Sequence, residues 1–116
     1  MKKALILLCM MMSIGAFAQT KAEVLEVARK ANEYFMNKWH DPTAPTIFKK
    51  DRESNLWTRS VYYVGLLALY DQDPQDRYLA YLDKWGNFHK WEPYNKDYYT
   101  VDADHICCGQ VYCQRY

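Results

Sequence analysis

The sequence predicts an all-α protein made of antiparallel helical hairpins, and two observations support that prediction. Apolar residues recur at spacings of three and four in several segments, which is the period of a helix with one buried face. No segment shows the alternation of apolar and polar residues that marks a half-buried strand. Half of the 116 residues are hydrophobic, so the chain is not a disordered tail, and its length fits one domain at most.

The charge and the composition of the chain limit the classes of function that it can have. The 15 Lys and Arg residues nearly balance the 14 Asp and Glu residues, which gives a formal net charge of +1. A protein held mainly by nucleic-acid phosphates needs a basic surplus, so this balance argues against such a partner. Aromatic residues make up 16% of the chain, with 11 Tyr and 4 Trp. This surplus indicates a surface that is both apolar and hydrogen-bonding, as in a carbohydrate site or a protein interface.

The first residues have the pattern of a cleaved signal peptide. Lys2 and Lys3 form a positive start, residues 4–15 are an apolar run, and Ala16–Ala18 fits the small-residue cleavage site. The run is shorter than the ~18 apolar residues that a membrane span needs. We therefore expect residues 1–18 to be removed, and the mature chain to be periplasmic or secreted from a bacterium with no membrane attachment.

Helix A is predicted over about Lys21–Trp39 and helix B over about Asn55–Tyr70. Thr20 and Glu23 form a capping box at the start of helix A, and Ser54 is the predicted N-cap of helix B. One apolar stripe runs along helix A, made of Val24, Val27, Ala28, Ala31, Tyr34 and Phe35. The second half of helix B is apolar almost all round, which predicts burial on most of its faces.

Helix C is predicted to open at Asp73-Pro74, with Asp as the N-cap and proline at the first helical position. Its apolar stripe is made of Tyr78, Leu79, Leu82 and Trp85. Helix D is predicted from about Asp102, its expected N-cap, to Tyr116, after an aromatic loop over residues 87–101. No Gly or Pro stop follows helix D, so either the protein ends in an unfinished helix or this is the front part of a longer chain.

The expected packing of these helices outlines a site. Short connections make neighbouring helices antiparallel, so helices B and D would point the same way. Helices B and D would form an inner layer, helices A and C an outer one, and the N-termini of B and D would open at one end. The residues at that end would be Asn55, Trp57, Arg59, Asp102, Asp104 and His105. Such a site would bind a sugar acid, because an indole stacks on a pyranose ring and a guanidinium pairs with a carboxylate.

Three cysteines follow the signal peptide, at Cys107, Cys108 and Cys113. An odd number does not make a disulfide framework, and the adjacent Cys107 and Cys108 lack the spacing of a zinc pair. We expect the three cysteines to be small apolar side chains on a buried helix. No metal site and no cofactor motif is predicted.

Three motifs in a fixed order resemble those of a known family. They are residues 55–66 (NLWTRSVYYVGL), residues 81–86 (YLDKWG) and residues 102–112 (DADHICCGQVY), the last ending in Gly-Gln-x-Tyr. Together they resemble the unsaturated rhamnogalacturonyl hydrolases of the glycosyl hydrolase 88/105 grouping. The resemblance extends over about residues 21–116, nearly the whole mature chain.

This resemblance implies an (α/α)6 barrel of six helical hairpins, of which residues 19–116 would supply the first two. It also implies release of Δ4,5-unsaturated galacturonic acid from pectin (rhamnogalacturonan) lyase products, without a cofactor. A carboxylic acid protonates the C4=C5 vinyl ether, water adds at C5, and the resulting hemiketal opens. Asp104 matches the family's first essential Asp. The resemblance implies that the family's second Asp is its principal acid/base and follows some tens of residues later, so this chain is expected to be a truncated and inactive part.

The roles of the other candidate residues stay open at this stage. Trp57 either stacks on the unsaturated ring or belongs to the core. Arg59 holds the substrate, pairs with Asp104 or is solvated on the surface. Tyr62 is a substrate-binding candidate, but Tyr62 and Tyr63 cannot both face the cleft, because adjacent helical residues point about 100° apart.

Three further predictions concern the residues at the start of helix D. Asp102 and His105 are substrate-binding candidates, although a lone His is more often structural. His105 is the only histidine expected near the site. Burial against aromatic walls would raise the pKa of Asp104, and the helix N-terminus would lower it. The sequence does not decide between these two effects.

The sequence also allows a second function. A small secreted four-helix module would bind a carbohydrate or a protein through its aromatic surface, and residues 19–116 would then unfold cooperatively. An enzyme fragment would instead be molten or insoluble, because the apolar surface of helix B would lack partners.

Overall fold

A computed structural model describes residues 19–48 and 50–116, and the predicted signal peptide lies outside this part of the chain. In chain order the elements are α1 (Lys21–Lys38), β1 (Thr46–Phe48), β2 (Lys50–Arg52), α2 (Trp57–Gln72), α3 (Asp76–Phe88), a 3₁₀ turn (Tyr94–Lys96) and α4 (Ala103–Arg115). Predicted helices A to D correspond to α1 to α4, so the all-α class is confirmed. Among the described helices, none is both long enough and apolar enough to cross a membrane.

Helix α1 begins with the predicted capping box. The Thr20 hydroxyl accepts a hydrogen bond from the Glu23 N–H at 3.2 Å, and the Glu23 carboxylate accepts one from the Thr20 N–H at 2.8 Å. These reciprocal bonds satisfy two backbone donors that the first turn cannot pair internally. The start of α1 is therefore set by residues that are close together in sequence.

The predicted N-cap of α2 is wrong. Helix α2 starts at Trp57, and Leu56 occupies the cap position without a side-chain hydrogen bond. Leu has no side-chain oxygen, so Leu56 cannot pair the free N–H groups of the first turn. The Ser54 hydroxyl lies outside the helix and contacts the Thr43 carbonyl at 3.3 Å.

The predicted start of α3 at Asp73 is also wrong. Asp73 is the C-cap of α2, where its N–H donates to the Leu69 carbonyl at 2.8 Å, and α3 begins at Asp76. The Asp73 carboxylate instead accepts two hydrogen bonds of 2.6 and 2.8 Å from Arg29 of α1. This pairing lowers the pKa of Asp73 to about 2 and ties α1 to the turn between α2 and α3.

A short β-hairpin joins α1 to α2, although the sequence predicts no strand. Strands β1 and β2 pair antiparallel, with Thr46 opposite Arg52 and Ile47 opposite Asp51. Each strand has three residues. A strand of that length is too short to show the alternating pattern by which strands are predicted.

The core lies between α2, α3 and α4. Its buried residues are Tyr63, Leu66, Leu69, Tyr78, Tyr81, Leu82, Trp85, Cys108 and Val111. Tyr63 of α2 and Trp85 of α3 are fully buried, and their rings stack with centroids 4.1 Å apart. The Trp85 indole N–H donates to the Ser54 carbonyl at 2.9 Å. The aromatic core therefore also holds the residues that precede α2.

Helix α4 joins this core through Cys108 and Val111 and through an ion pair. Arg115 donates hydrogen bonds of 2.8 and 2.9 Å to the Asp83 carboxylate of α3. All three described cysteines are free. Cys108 is buried as predicted, whereas Cys113 is exposed, so the prediction of buried apolar thiols is wrong for Cys113.

Two predicted apolar faces are exposed in the described part of the chain. In α1, Val27 and Tyr34 are 64% and 66% exposed, and Asn32 is the buried residue of the helix. In α2, Val61 is 55% exposed, so the prediction that helix B is buried on most faces is wrong on that side. The apolar composition of α1 and α2 therefore exceeds what the described core buries.

Candidate functional site

Trp57 and Asp104 each lie in the first turn of a helix and are exposed. Trp57 is the first residue of α2 and is 42% exposed, so the alternative that it belongs to the core is wrong. Asp104 is the second residue of α4. Its backbone N–H donates to the Asp102 carboxylate at 2.9 Å. An indole and a carboxyl are thus both presented to solvent at helix starts.

Asp102 is the N-cap of α4, which confirms the prediction for this residue. His105 is half-buried, with its ring centroid 4.8 Å from that of Tyr94 and its Nε2 atom 3.8 Å from the Asp102 carboxylate. No hydrogen bond or ion pair with another described residue engages the Asp104 carboxyl. Both oxygens of Asp104 are therefore available to a ligand.

Arg59 is buried rather than solvated. It is 1% exposed, and its Nη2 group donates to the Thr46 hydroxyl at 3.2 Å and to the Ala44 carbonyl at 3.5 Å. Its guanidinium lies 4.4 Å from the Trp39 ring centroid, which is cation–π range. The alternatives of a surface Arg and of an Arg59–Asp104 pair are wrong. Arg59 joins the start of α2 to the hairpin segment and to the end of α1.

Tyr62 and Tyr63 point to different sides of α2, as their spacing predicts. The Tyr62 ring stacks on Phe35 of α1 with centroids 3.4 Å apart, and its hydroxyl donates to Asn32 Oδ1 at 2.5 Å. Burial raises the pKa of the Tyr62 hydroxyl well above its usual value of 10.0. Tyr63 faces Trp85 in the core. Tyr62 therefore packs between α1 and α2.

The sequence missed His89, which lies close to the start of α2. Its Nε2 atom is 2.7 Å from the hydroxyl of Ser54, a residue that is 1% exposed. Ser54 precedes Trp57 by three positions, so the expectation that only His105 lies near the site is wrong. The contact joins residues 35 positions apart, so no local sequence pattern predicts it. In the part of the chain that the structure describes, no cluster of His, Cys, Asp and Glu is placed to hold a metal ion.

The burial of His89 predicts that the stability of the fold depends on pH. Burial lowers its pKa from 6.5 to about 4, so between these values the unfolded chain binds more protons than the folded one. The stability that neutral His89 contributes is complete above pH 6.5 and is lost as the pH falls towards about 4. His89→Gln keeps an amide N–H for Ser54 and does not titrate. We expect this variant to lose less stability than the parent between about pH 7.5 and about pH 4.5.

Urea unfolding midpoints of the two proteins at both pH values measure this difference. The parent midpoint is expected to fall more steeply with decreasing pH than the midpoint of the variant. An equal fall in both proteins would show that buried His89 is not the source of the pH dependence.

An exposed indole and an exposed carboxyl are groups that carbohydrate-active enzymes use to stack on sugar rings and to transfer protons. The family model described as Glycosyl Hydrolase Family 88 matches residues 27–116. The chain belongs to this family of glycoside hydrolases that act on unsaturated uronic acids, and its substrate class is therefore a carbohydrate. Comparisons with curated proteins and with solved structures found no match.

Proposed function

We propose that this chain is part of a hydrolase that releases Δ4,5-unsaturated galacturonic acid from the products of rhamnogalacturonan lyases. The main observation that supports the proposal is that the Asp104 carboxyl is exposed on the first turn of α4. Asp104 also lies inside the segment that the family model matches. The proposed reaction hydrates the vinyl ether. A carboxylic acid gives its proton to C4, water adds to C5, and the hemiketal opens and releases the leaving sugar.

Asp104 suits a proton-transfer role because its carboxyl makes no hydrogen bond or ion pair with another described residue. Asp102 already caps α4, and its carboxylate accepts the Asp104 N–H. A second carboxyl must serve the other proton transfer. No Asp or Glu follows Asp104 among residues 105–116, so we place that second group elsewhere.

Trp57 is proposed to stack its indole on the unsaturated ring. Trp57→Ala is expected to weaken binding of an unsaturated galacturonyl disaccharide about fivefold to tenfold, which corresponds to about 1 kcal/mol of lost aromatic contact. Trp57→Phe retains a flat apolar face and is expected to lose less. Isothermal titration of the three proteins with the disaccharide measures the effect. Equal affinities for the parent and Trp57→Ala would exclude Trp57 from the site.

The other candidates are assigned by how far their polar atoms are already engaged. His105 lies one position after Asp104 and is proposed to donate a hydrogen bond to a sugar hydroxyl. Asp102 is proposed to act mainly by holding the first turn of α4. Arg59 donates from Nη2 to the hairpin segment, while its buried Nη1 has no partner among the described residues, and Tyr62 bonds to α1. We place both behind Trp57, where they fix the position of the start of α2.

The exposed apolar side favours a barrel segment over the alternative of a self-contained four-helix module. Two apolar cavities of about 330 and 450 Å³ lie along α1 and α2 and share Ala28, Gly65 and Leu69. Val27, Tyr34 and Val61 are exposed on the same two helices, and a small secreted bundle would be expected to cover such side chains. In this proposal the barrel continues beyond two hairpins, and the protein is exported to the periplasm or the exterior.

A further inference from the structure

The segment that follows α3, residues 90–96, contacts both sides of the candidate site. The Glu92 carbonyl accepts a hydrogen bond of 3.2 Å from the Tyr112 hydroxyl of α4. It also accepts a longer one, of 3.4 Å, from Nδ2 of Asn55, which lies just before the start of α2. One backbone carbonyl therefore joins the residues that precede α2 to α4.

The backbone of this segment is strained. Lys90, Trp91, Asn95 and Lys96 have φ values of 56°, 57°, 56° and 55°, and no other described residue has a positive φ. A side chain with a Cβ makes this left-handed conformation unfavourable, so the surrounding contacts must hold it in place. Such residues concentrate at functional sites. The strain therefore indicates that the path of this segment serves the candidate site.

Trp91 provides several of the contacts that hold the segment. Its backbone N–H donates to the Gly86 carbonyl at 2.9 Å, and its indole N–H donates to Asn87 Oδ1 at 2.9 Å. Its ring covers Gly86 so closely that a Cβ would not fit there. The Trp91 and Tyr112 rings also meet edge to face, with centroids 5.4 Å apart. Helices α3 and α4 together therefore fix the segment.

Near the end of the segment, Tyr94 packs on His105 in the first turn of α4. Tyr94 is half-buried, and its ring centroid lies 4.8 Å from that of His105. The His105 Nε2 atom is 3.8 Å from the Asp102 carboxylate, which is too far for a hydrogen bond. The Tyr94 ring is therefore the contact that orients the His105 ring, one position after Asp104.

We propose that Tyr94 is a positioning residue for the proposed reaction. Its ring holds His105 in place beside Asp104, and Tyr112 holds Tyr94 through the Glu92 carbonyl. The proposal rests on the proposed function, in which His105 donates a hydrogen bond to a sugar hydroxyl and so orients the sugar towards Asp104. Tyr94 acts through His105 and does not itself bind the substrate.

The kinetics of Tyr94 variants test this role, in a form of the protein that carries both carboxyls. With an unsaturated galacturonyl disaccharide, Tyr94→Ala is expected to lower kcat about tenfold, because a misplaced His105 leaves the sugar misaligned. KM is expected to change by no more than about twofold, since the proposed contact with Trp57 is intact. Tyr94→Phe keeps the ring and is expected to retain the parent rate.

Tyr98→Ala is the matched control, because Tyr98 is 65% exposed in the loop that follows Tyr94. This variant should leave kcat and KM unchanged. Three results would overturn the proposal: a parent rate in Tyr94→Ala, equal losses in Tyr94→Ala and Tyr94→Phe, and a raised KM at unchanged kcat. The second result would assign the effect to the hydroxyl, and the third would make Tyr94 a substrate contact.

The link to α4 is tested by Tyr112→Phe, which removes the hydroxyl but keeps the ring and is therefore expected to fold. In protein labelled with ¹³C-histidine, the ring signals of His105 are assigned by their loss in His105→Gln and are expected to shift in Tyr112→Phe. Tyr116→Phe is the control, because the Tyr116 ring also packs on Trp91, at 5.3 Å, and Tyr116 is 90% exposed. His105 signals that are the same in Tyr112→Phe and Tyr116→Phe would overturn the proposal. This measurement decides the question if Tyr94→Ala does not fold.

The proposed reaction is tested separately by Asp104→Asn. If Asp104→Asn hydrolyses the disaccharide at the parent rate while Tyr112→Phe shifts the His105 signals, the link from Tyr112 to His105 stands and the proposed reaction falls. If Asp104 is required but Tyr94→Ala keeps the parent rate, only the positioning role of Tyr94 falls.

Discussion

An Asp104→Asn protein is expected to hydrolyse an unsaturated galacturonyl disaccharide about 10²- to 10⁴-fold more slowly than its parent, the usual cost of losing a general acid or base. Asn keeps the shape of the side chain but cannot transfer a proton. The rate is measured from the loss of ultraviolet absorbance when the C4=C5 vinyl ether is hydrated. The proposed reaction uses two carboxyls, so the assay requires a form of the protein that carries both.

Asp102→Asn is the matched control for this substitution. Asn caps a helix about as well as Asp, so α4 should keep its start and hydrolysis should stay close to that of the parent. Asp104→Asn removes a favourable charge from the helix start and should cost only about 0.3–1 kcal/mol of stability. Similar losses of activity in both variants would point to damage at the start of α4 and would contradict a special role for Asp104.

Trp85→Ala is expected to lower the free energy of unfolding by about 3–5 kcal/mol, a large share of the ~5–15 kcal/mol of a small protein. Trp85 is fully buried, stacks on Tyr63, and donates to the Ser54 carbonyl. Its removal leaves a cavity in the core and deprives Ser54 of a hydrogen-bond donor. Urea unfolding followed by circular dichroism measures the loss, in the same form of the protein that carries both carboxyls.

Tyr99→Ala is the control for this loss of stability. Tyr99 is 96% exposed, so the same kind of truncation should change the unfolding free energy by no more than about 0.5 kcal/mol. A Trp85→Ala protein as stable as Tyr99→Ala would mean that the α2–α3 aromatic stack is not the centre of the core.

Helix starts were predictable from sequence where the capping partners lie within three residues. The Thr20–Glu23 box and the Asp102 cap follow from such spacing, and both are present. The same type of argument failed at Ser54 and Asp73, because each side chain has a distant partner. Ser54 meets His89, and Asp73 meets Arg29 of α1. A capping residue in a sequence therefore predicts a helix start only when no tertiary partner competes for its oxygen.

The candidate site was predictable only in part, for a similar reason. Helical periodicity separates Tyr62 from Tyr63 by angle, but it does not say which of them faces the core. That choice depends on where α1 packs, and Tyr62 stacks on Phe35 of that helix. The burial of Arg59 likewise depends on the hairpin, whose strands are too short to be predicted. The sequence left Trp57 open between a substrate contact and the core, and only the structure shows that its side chain is exposed.

The most direct test of the central claim is a crystal structure of the chain bound to an unsaturated galacturonyl disaccharide. We expect the unsaturated ring to lie on the Trp57 indole, with the Asp104 carboxyl within about 3.5 Å of the C4=C5 bond. A disaccharide bound away from Trp57 and Asp104, or these two side chains at opposite ends of the helices, would contradict the account.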